Sequence, residues 1–223
     1  MKITIRFIFV ALLITSNIFS AGAFLNKYDS IDNHNEFETL MKKIRQDFAQ
    51  NPHIEEALKK YNEKDGSFTD IDYSSIQRTK WPPMTHIERL YDFAFAYTTP
   101  KNRYYKDKLL FDKIQKGLEY WHERNPWCHN WWYNQIGIPK TLGTVFILFE
   151  KQLTPVEKQN AITVMENAKF GMTGQNKVWL AGNVMMRALL QNDYELVKMA
   201  RDTIASEIVT GGAEGIKDDW CFH

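Results

Sequence analysis

The chain has 223 residues, with 28 Lys and Arg against 27 Asp and Glu, so its formal net charge is +1. This balance argues against a general nucleic-acid-binding protein, which would carry a basic excess. A hydrophobic content of 44% with 25% charged residues is typical of a globular chain rather than a disordered one. The length predicts one large domain or two small ones.

Residues 1–23 have the pattern of a secretory signal peptide. Lys2 and Arg6 precede an apolar run over residues 7–14, which is shorter than the roughly 20 residues that a membrane-spanning helix needs. Small residues at Ala21 and Ala23 fit a signal-peptidase site, so we expect cleavage after Ala23, with an uncleaved membrane anchor as the alternative. Cleavage would leave a net charge of −1. We therefore expect a secreted or periplasmic protein that has no membrane association after cleavage.

The two cysteines, Cys128 and Cys221, are a candidate disulfide. Export would place them in an oxidising compartment, where disulfides form and persist. Each cysteine lies beside a tryptophan, in a segment that is typical of a loop. A bridge between them would tie two loops together at one end of the fold. Two unpaired buried thiols are the alternative.

Apolar residues at helical spacing predict helices along most of the chain. The apolar faces of the first three are Phe37, Leu40, Met41, Ile44 and Phe48; Ile87, Leu90, Tyr91, Ala94 and Phe95; and Leu109, Leu110, Ile114, Leu118 and Trp121. A fourth helix is expected after Pro139, and a capping box of Thr154 and Glu157 predicts the start of a fifth. Two more are predicted over residues 178–190 and 194–209. The predicted fold class is all-α, with antiparallel helix pairs joined by short connections.

Aromatic residues crowd one short segment of the chain. Four of the seven tryptophans, Trp121, Trp127, Trp131 and Trp132, fall within twelve residues. Neighbouring residues point about 100° apart around a helix, so Trp131 and Trp132 cannot both easily face one core, and we expect at least one to be exposed or to line a cleft. An indole suits the C–H face of a pyranose, and an amide such as that of Asn130 suits hydroxyls and carboxylates. The alternative is that both indoles fill a helix junction.

A second candidate site is Thr173-Gly174-Gln175-Asn176, which precedes a helical pattern. Asn176 is well placed to be the N-cap of that helix. A helix N-terminus is also a site where anions bind, so Asn176 could instead contact a carboxylate of a ligand. From the residues alone, both alternatives stay open.

The third candidate segment is Asp218-Asp219-Trp220-Cys221-Phe222-His223. No helix or polar tail follows it, so we expect that the sequence is interrupted here. Adjacent aspartates tend to diverge and do not form an obvious acid and base pair. The other histidines lack metal-binding spacing, and nucleotide-binding and serine-hydrolase motifs are absent from the sequence. We therefore expect no metal ion and no cofactor.

The three segments together resemble polysaccharide lyase family 8, which comprises the chondroitin AC, hyaluronate and xanthan lyases. The resemblance rests on Asn-Trp-Trp-Tyr-Asn-Gln-Ile-Gly-Ile-Pro at residues 130–139, Thr-Gly-Gln-Asn at 173–176, and Gly-Ile through Trp-Cys-Phe-His at 215–223. Their order and spacing are similar to those of the family's N-terminal helical domain over roughly residues 35–223, and the Tyr-Asn after the tryptophan pair leans toward the chondroitin AC branch. The resemblance implies an incomplete α/α toroid over residues 24–223, with the β-sheet domains of the family absent.

The resemblance also implies β-elimination on an acidic substrate, a uronic-acid polysaccharide. We further expect a monomer that, given its charge balance, binds no nucleic acid. Asn176 matches the family's asparagine that neutralises the substrate carboxylate. Trp131 and Trp132 match its aromatic patch, and Asn130 is expected to contact the substrate with them. The family often has Ala where this chain has Gln175, so we expect Gln175 to contact the substrate and alter its fit.

The resemblance places the catalytic histidine just beyond the last residue, followed by the tyrosine that serves with it as base and acid. His223 is then expected to be a neighbour of the active site rather than its base, and the 223-residue chain alone is expected to be inactive. A carbohydrate-binding helical module without chemistry is the main alternative. An α/α-barrel glycoside hydrolase is a further one, but it needs two facing carboxylates that the sequence does not nominate. Which polysaccharide is bound stays open.

Overall fold

The computed structural model describes residues 33–47 and 50–210, and over them it is mainly helical, with an isolated bridge between Tyr61 and Phe68. The helices are α1 (Asn33–Asp47), α2 (Glu55–Lys60), α3 (Met84–Thr98), α4 (Lys108–Arg124), α5 (Ile138–Leu148), α6 (Pro155–Met165), α7 (Gly174–Gln191) and α8 (Tyr194–Ala205). A π-helical segment, Tyr133–Gly137, leads directly into α5. The predicted all-α class is confirmed. No helix in the described ranges is both long and apolar enough to cross a membrane.

The chain forms two compact units. Of the described residues, 33–47 and 169–210 belong to the first unit, which holds α1, α7 and α8, and 50–168 belong to the second, which holds α2 to α6. The predicted signal peptide at residues 1–23 lies outside the described residues, as do Cys221 and His223. The single domain expected over residues 24–223 stays a prediction.

The core of the second unit is built around α3, which contacts both α4 and α5. Its predicted apolar face is buried at Ile87, Leu90, Ala94 and Phe95. On α4, by contrast, Leu109 is 71% exposed, so its place on the predicted inner face is wrong. The inward stripe of α4 is Leu110, Ile114, Gly117 and Trp121, whose spacing of four, three and four residues leaves Leu109 about 100° away around the helix, on a solvent-exposed side.

Local capping explains where several helices begin. The predicted capping box is confirmed at α6, where Thr154 Oγ1 accepts from the Glu157 N–H at 3.3 Å and Glu157 Oε2 accepts from the Thr154 N–H at 2.7 Å. Asp107 caps α4 by accepting from the Leu110 N–H, and Asp193 caps α8 by accepting from the Leu196 N–H. Each such cap satisfies amides that the helix leaves without partners and contributes about 1 kcal/mol.

The first unit contains an antiparallel hairpin of α7 and α8. Asn192 ends α7 in the left-handed conformation, with φ of 56°, and Asp193 starts α8 directly afterwards. The aromatic ring of Phe37 on α1 packs against that of Tyr194, with ring centroids 6.1 Å apart. The sequence predicted both helices of the hairpin, but α7 begins four residues before 178 and α8 ends four residues before 209.

His86 on α3 is fully buried and hydrogen-bonded at both ring nitrogens. Its Nε2 lies 2.9 Å from the Gly117 carbonyl oxygen, which can only accept, so Nε2 carries the proton. Its Nδ1 lies 2.8 Å from the Tyr73 hydroxyl and therefore accepts. The Tyr73 oxygen in turn accepts from the Phe68 N–H at 2.9 Å. The neutral imidazole thus satisfies every partner in this chain of hydrogen bonds.

The surroundings of His86 oppose a positive charge on its ring. The imidazole stacks between Tyr120 and Trp121, with ring centroids 5.5 and 5.7 Å away. The pKa of His86 is lowered from 6.5 to about 4, mainly by burial and to a smaller extent by the charge of Arg89, whereas the bond to the Gly117 carbonyl and the charge of Asp65 oppose the shift. His86 is therefore a neutral structural residue at neutral pH.

Acidification should destabilise the protein through His86 between pH 6.5 and about 4. In this window the unfolded chain binds a proton that the folded state excludes, so the free energy of unfolding should fall by up to ~1.4 kcal/mol per pH unit. The variant His86→Gln keeps a donor and an acceptor but does not titrate. It should lose this part of the slope, although it is less stable at neutral pH.

Urea unfolding followed by tryptophan fluorescence at several pH values measures this slope. The matched control is His122→Gln, because His122 lies on α4 with an exposed side chain. The control should keep the wild-type slope. Equal slopes for wild type and His86→Gln would contradict the assignment of a buried neutral ring.

Candidate functional site

The tryptophan motif, residues 130–139, contains the start of a helix that changes from α to π and back to α. Trp131 and Trp132 are helical, the π segment Tyr133–Gly137 follows, and α5 continues from Ile138. The Ile138 N–H bonds to the Tyr133 carbonyl, five residues back. Pro139 has no backbone N–H to donate. It lies at the junction where the hydrogen bonds change from the five-residue spacing of the π segment to the four-residue spacing of α5, so no regular helical hydrogen bond is lost. The helix therefore starts before Pro139, not after it as the sequence predicted.

The π turn places the Trp132 indole against the backbone of Gly137. A Cβ at Gly137 would lie 2.8 Å from Cζ3 of Trp132, so only glycine leaves room for the ring in this position. The Tyr133 ring meets the Trp132 indole edge-on, with centroids 5.5 Å apart. Trp132 is half-buried, whereas Trp131 is 41% exposed, as expected for at least one of the pair. Sugar binding by these indoles stays a prediction.

The Asn130 side chain forms hydrogen bonds both to the start of this helix and to a preceding loop. Its Nδ2 donates to the Arg78 carbonyl at 2.9 Å, and its Oδ1 accepts from the Trp132 N–H at 3.1 Å. The amide therefore fixes the direction of the first helical turn. One N–H and one acceptor position of the amide remain, and the substrate contact predicted for Asn130 stays a prediction.

Asn134 is a structural residue of the motif that the sequence analysis did not single out. Its side chain is 2% exposed, donates to the Cys128 carbonyl at 2.7 Å and accepts from the Cys128 N–H at 3.0 Å. The Cys128 Sγ is also buried, accepts from the Asn130 N–H at 3.4 Å and lies 3.6 Å from the Gln77 carbonyl. Because Cys221 lies outside the described residues, the disulfide stays a prediction.

The loop before α3 packs against the same motif. The Trp81 N–H donates to the Tyr133 hydroxyl at 3.4 Å, and the two rings lie 5.7 Å apart. The Trp81 indole N–H donates to the Ser75 carbonyl at 3.0 Å. Between these anchors the side chains of Arg78 and Lys80 are exposed. The motif therefore has two cationic side chains in a loop that is bonded to it.

Asn176 is the third residue of α7, whose N-cap is Thr173. The alternative that Asn176 is the N-cap is therefore wrong. The helix begins early because Gly174, with φ of 56°, donates its N–H to Glu207 Oε2 at 2.8 Å. Asn176 and Gln175 are half-buried, and among the described residues the Asn176 amide has no hydrogen-bond partner.

The carboxylate of Glu207 contacts the first turn of α7. Its Oε1 lies 2.7 Å from Lys177 Nζ, and the two side chains are only 12% and 25% exposed. The hydrogen bond from Lys177 and that from the Gly174 amide lower the pKa of Glu207 against the opposing effect of burial. The sequence suggested an anion-binding site at this helix N-terminus. The first amide of that site, the Gly174 N–H, is already bonded to the carboxylate of Glu207.

The predicted site residues fall into both units. Asn130, Trp131 and Trp132 lie together in the second unit, and Gln175 and Asn176 lie together in the first. A groove of about 470 Å³ among α4, α5 and α6 contains none of them. Its charged lining has an acidic excess, since the carboxylates Asp112, Glu119, Glu123 and Glu157 outnumber the single lysine, Lys116, and such a lining disfavours a polyanion. Within the ranges that the structure describes, no group of three His, Cys, Asp or Glu residues could hold a metal ion.

The variant Gly137→Ala should displace the Trp132 indole without unfolding the protein. The added methyl group would overlap the ring, and such overpacking costs about 1–3 kcal/mol. We expect a lower melting temperature and a changed near-ultraviolet circular dichroism spectrum. Glu119→Ala is the control, because Glu119 is an exposed residue of α4 in the same unit, and its spectrum should be unchanged. An unchanged spectrum for Gly137→Ala would show that the indole does not depend on this glycine.

The family model and the related proteins that match this chain are all of polysaccharide lyases. The family model for the N-terminal alpha-helical domain of polysaccharide lyase family 8 matches residues 27–222. Chondroitinase-AC of Pedobacter heparinus is 34% identical over 140 residues, which cover 61% of this chain and 20% of that protein. Xanthan lyase of a Bacillus species is 26% identical over 147 residues, which cover 60% of this chain and 16% of that protein.

The solved structures that this chain resembles are also of chondroitin AC and xanthan lyases. A structure of chondroitinase AC lyase, described with oligosaccharide complexes, matches with a TM-score of 0.71 at 29% identity and covers 83% of this chain and 29% of that one. A Paenibacillus xanthan lyase matches with a TM-score of 0.69 at 21% identity, covers 86% of this chain and 21% of that one, and supports the fold alone.

The chain spans about a fifth of the length of the curated relatives it matches. The family match covers nearly all of the chain and gives no support to the glycoside hydrolase alternative. The tryptophan motif on its π turn and the Thr-Gly-Gln-Asn turn of α7 both lie inside the matched range. The chain therefore belongs to polysaccharide lyase family 8, with the N-terminal α-helical domain of that family.

Proposed function

We propose that this chain is part of an exported lyase that cleaves a uronic-acid polysaccharide, of the chondroitin or hyaluronan type, by β-elimination. The observation that carries the proposal is the Asn176 side chain, which is half-buried in the first turn of α7 and has no hydrogen-bond partner among the described residues. The relatives are named for chondroitin, xanthan and hyaluronate. The signal-peptide pattern of residues 1–23 supports export.

The proposed chemistry requires that a carboxylate be neutralised. A base removes the proton at C5 of the uronic acid, the electron pair forms the C4–C5 double bond, and the C4–O4 bond breaks as the leaving oxygen gains a proton. The C5 proton is weakly acidic because its loss adds negative charge next to the carboxylate. A hydrogen bond from Asn176 Nδ2 to that carboxylate stabilises the developing charge. Gln175, beside it in the same turn, contacts the same sugar and tunes its fit.

We propose that the substrate chain lies on the tryptophan motif. The exposed face of Trp131 stacks on a sugar ring, Trp132 extends this surface, and Asn130 contributes its remaining N–H. Arg78 and Lys80 supply local positive charge, which a polyanion requires from a protein whose net charge is close to zero. His223, outside the described residues, is proposed as a further neighbour of the substrate.

The variant Asn176→Ala should lower kcat on chondroitin about 10²- to 10³-fold, because loss of one donor to the developing charge has an effect of this size. The full-length protein is assayed by the ultraviolet absorbance of the unsaturated uronide product. Asn167→Ala is the control, because Asn167 is exposed and bonds to the nearby Val164 carbonyl. Turnover by Asn176→Ala at the wild-type rate would contradict the assigned role.

The same assay separates the two functional classes. Wild-type protein that binds these polysaccharides but releases no unsaturated product from chondroitin, hyaluronan or xanthan would be a carbohydrate-binding module. Such a module would use the same exposed Trp131 and would need no group at Asn176.

The variant Trp131→Ala should weaken the affinity for a chondroitin oligosaccharide about fivefold, because an aromatic contact of this kind contributes ~1 kcal/mol. Isothermal titration calorimetry measures the dissociation constant. Tyr105→Ala is the matched control in the same unit, since Tyr105 is 39% exposed and lies outside the motif. Wild-type affinity in Trp131→Ala would remove the tryptophan motif from the proposed binding surface.

A further inference from the structure

We propose that Glu207 is a positioning residue for Asn176. Its carboxylate holds the first turn of α7 in the conformation that presents the Asn176 amide to the substrate. This inference rests on the proposed function of Asn176 and extends it to a residue that does not contact the substrate. No sequence motif points to Glu207, because its partners Gly174 and Lys177 lie 33 and 30 residues away along the chain.

The hairpin of α7 and α8 brings Glu207 to this position. The two helices run antiparallel, so the chain leaving α8 returns to the start of α7. A short turn then presents the glutamate, with the Ser206 N–H bonded to the Asp202 carbonyl at 2.9 Å and the Glu207 N–H bonded to the Ile204 carbonyl at 3.1 Å. The carboxylate is thus carried by a hydrogen-bonded turn at the end of a helix.

The backbone before Asn176 needs such a partner. Met172 and Gly174 adopt φ of 62° and 56°, and the left-handed conformation of Met172 costs of order 1 kcal/mol because it has a side chain. Thr173, at the N-cap, makes no capping hydrogen bond with its side chain. The Glu207 carboxylate accepts the Gly174 N–H at 2.8 Å and so performs the role of the cap.

The two carboxylate oxygens of Glu207 bind residues on both sides of Asn176 in this turn. Oε2 binds the Gly174 N–H and Oε1 binds Lys177 Nζ, three residues further along the helix. The Lys177 N–H also bonds to the Thr173 carbonyl, at 3.4 Å. Because Glu207 is only 12% exposed, solvent screens these contacts weakly. Asn176, the residue before Lys177, is therefore held in a turn that is fixed at both ends.

The variants Glu207→Ala and Glu207→Gln of the full-length protein test the role in catalysis. Glu207→Ala should lower kcat on chondroitin by on the order of tenfold or more with little change in KM, because a small displacement of a catalytic group has an effect of this size. Glu207→Gln keeps an oxygen for the Gly174 N–H and should recover most of kcat. Glu195→Ala, at an exposed glutamate of α8, is the control. A loss in Glu207→Ala that appears in KM alone would overturn the proposal.

A double variant shows whether Glu207 acts through Asn176. When Asn176 is already alanine, the change Glu207→Ala should lower kcat no further, because there is no amide left to position. Multiplying losses in the double variant would overturn the proposal, since they would mean that Glu207 contributes independently.

Amide hydrogen exchange over residues 174–177 gives a reading that does not depend on activity. Exchange should be faster in Glu207→Ala and return toward the wild-type rate in Glu207→Gln. Unchanged exchange in Glu207→Ala would overturn the positioning role even if the wild type is an active lyase. Faster exchange together with wild-type turnover by Asn176→Ala would instead locate the failure in the proposed function of Asn176.

Discussion

The π turn at Tyr133–Gly137 is the constraint on which the tryptophan motif depends. A π turn is rare because its bonding is less favourable than that of an α-helix, so it needs support from its surroundings. The buried Asn134 amide supplies this support through two hydrogen bonds to the Cys128 backbone, each worth about 1 kcal/mol. Gly137 then admits the Trp132 indole. The same few residues therefore stabilise an irregular helix and fix the direction of an aromatic side chain.

The start of α7 shows a second use of buried polar groups. A helix N-terminus attracts negative charge, and here the chain supplies that charge itself through Glu207. Lys177 balances it, so a largely buried carboxylate keeps an opposite charge close by. The first amide of the helix is consequently unavailable to an external anion. The neutral side chains of Gln175 and Asn176 have no hydrogen-bond partner among the described residues and remain open to a ligand.

The features that the sequence predicted are those decided by nearby residues. The capping box of Thr154 and Glu157 lies within four residues and is confirmed, and the all-α class follows from helical periodicity. The predicted start of α7 was wrong. The helix begins at Gly174, before Asn176, where the Gly174 N–H bonds to Glu207, a residue 33 positions away along the chain. Asn134 could not be singled out for a similar reason: its importance lies in how a π turn aims it at a particular backbone segment, and residue spacing alone does not indicate a π turn.

A neutral donor suits the proposed reaction better than a cation would. A lysine or arginine at position 176 would bind the substrate carboxylate strongly before the reaction, and an interaction of equal strength in substrate and transition state does not raise kcat. An amide binds the initial carboxylate more weakly, and its hydrogen bond strengthens as charge accumulates on the oxygen during proton removal. This benefit requires that the donor already point at the place where the charge develops. Under the proposed function, the position of the Asn176 amide therefore matters more than added charge, and the Glu207 carboxylate, bonded to the backbone of the same turn, secures that position.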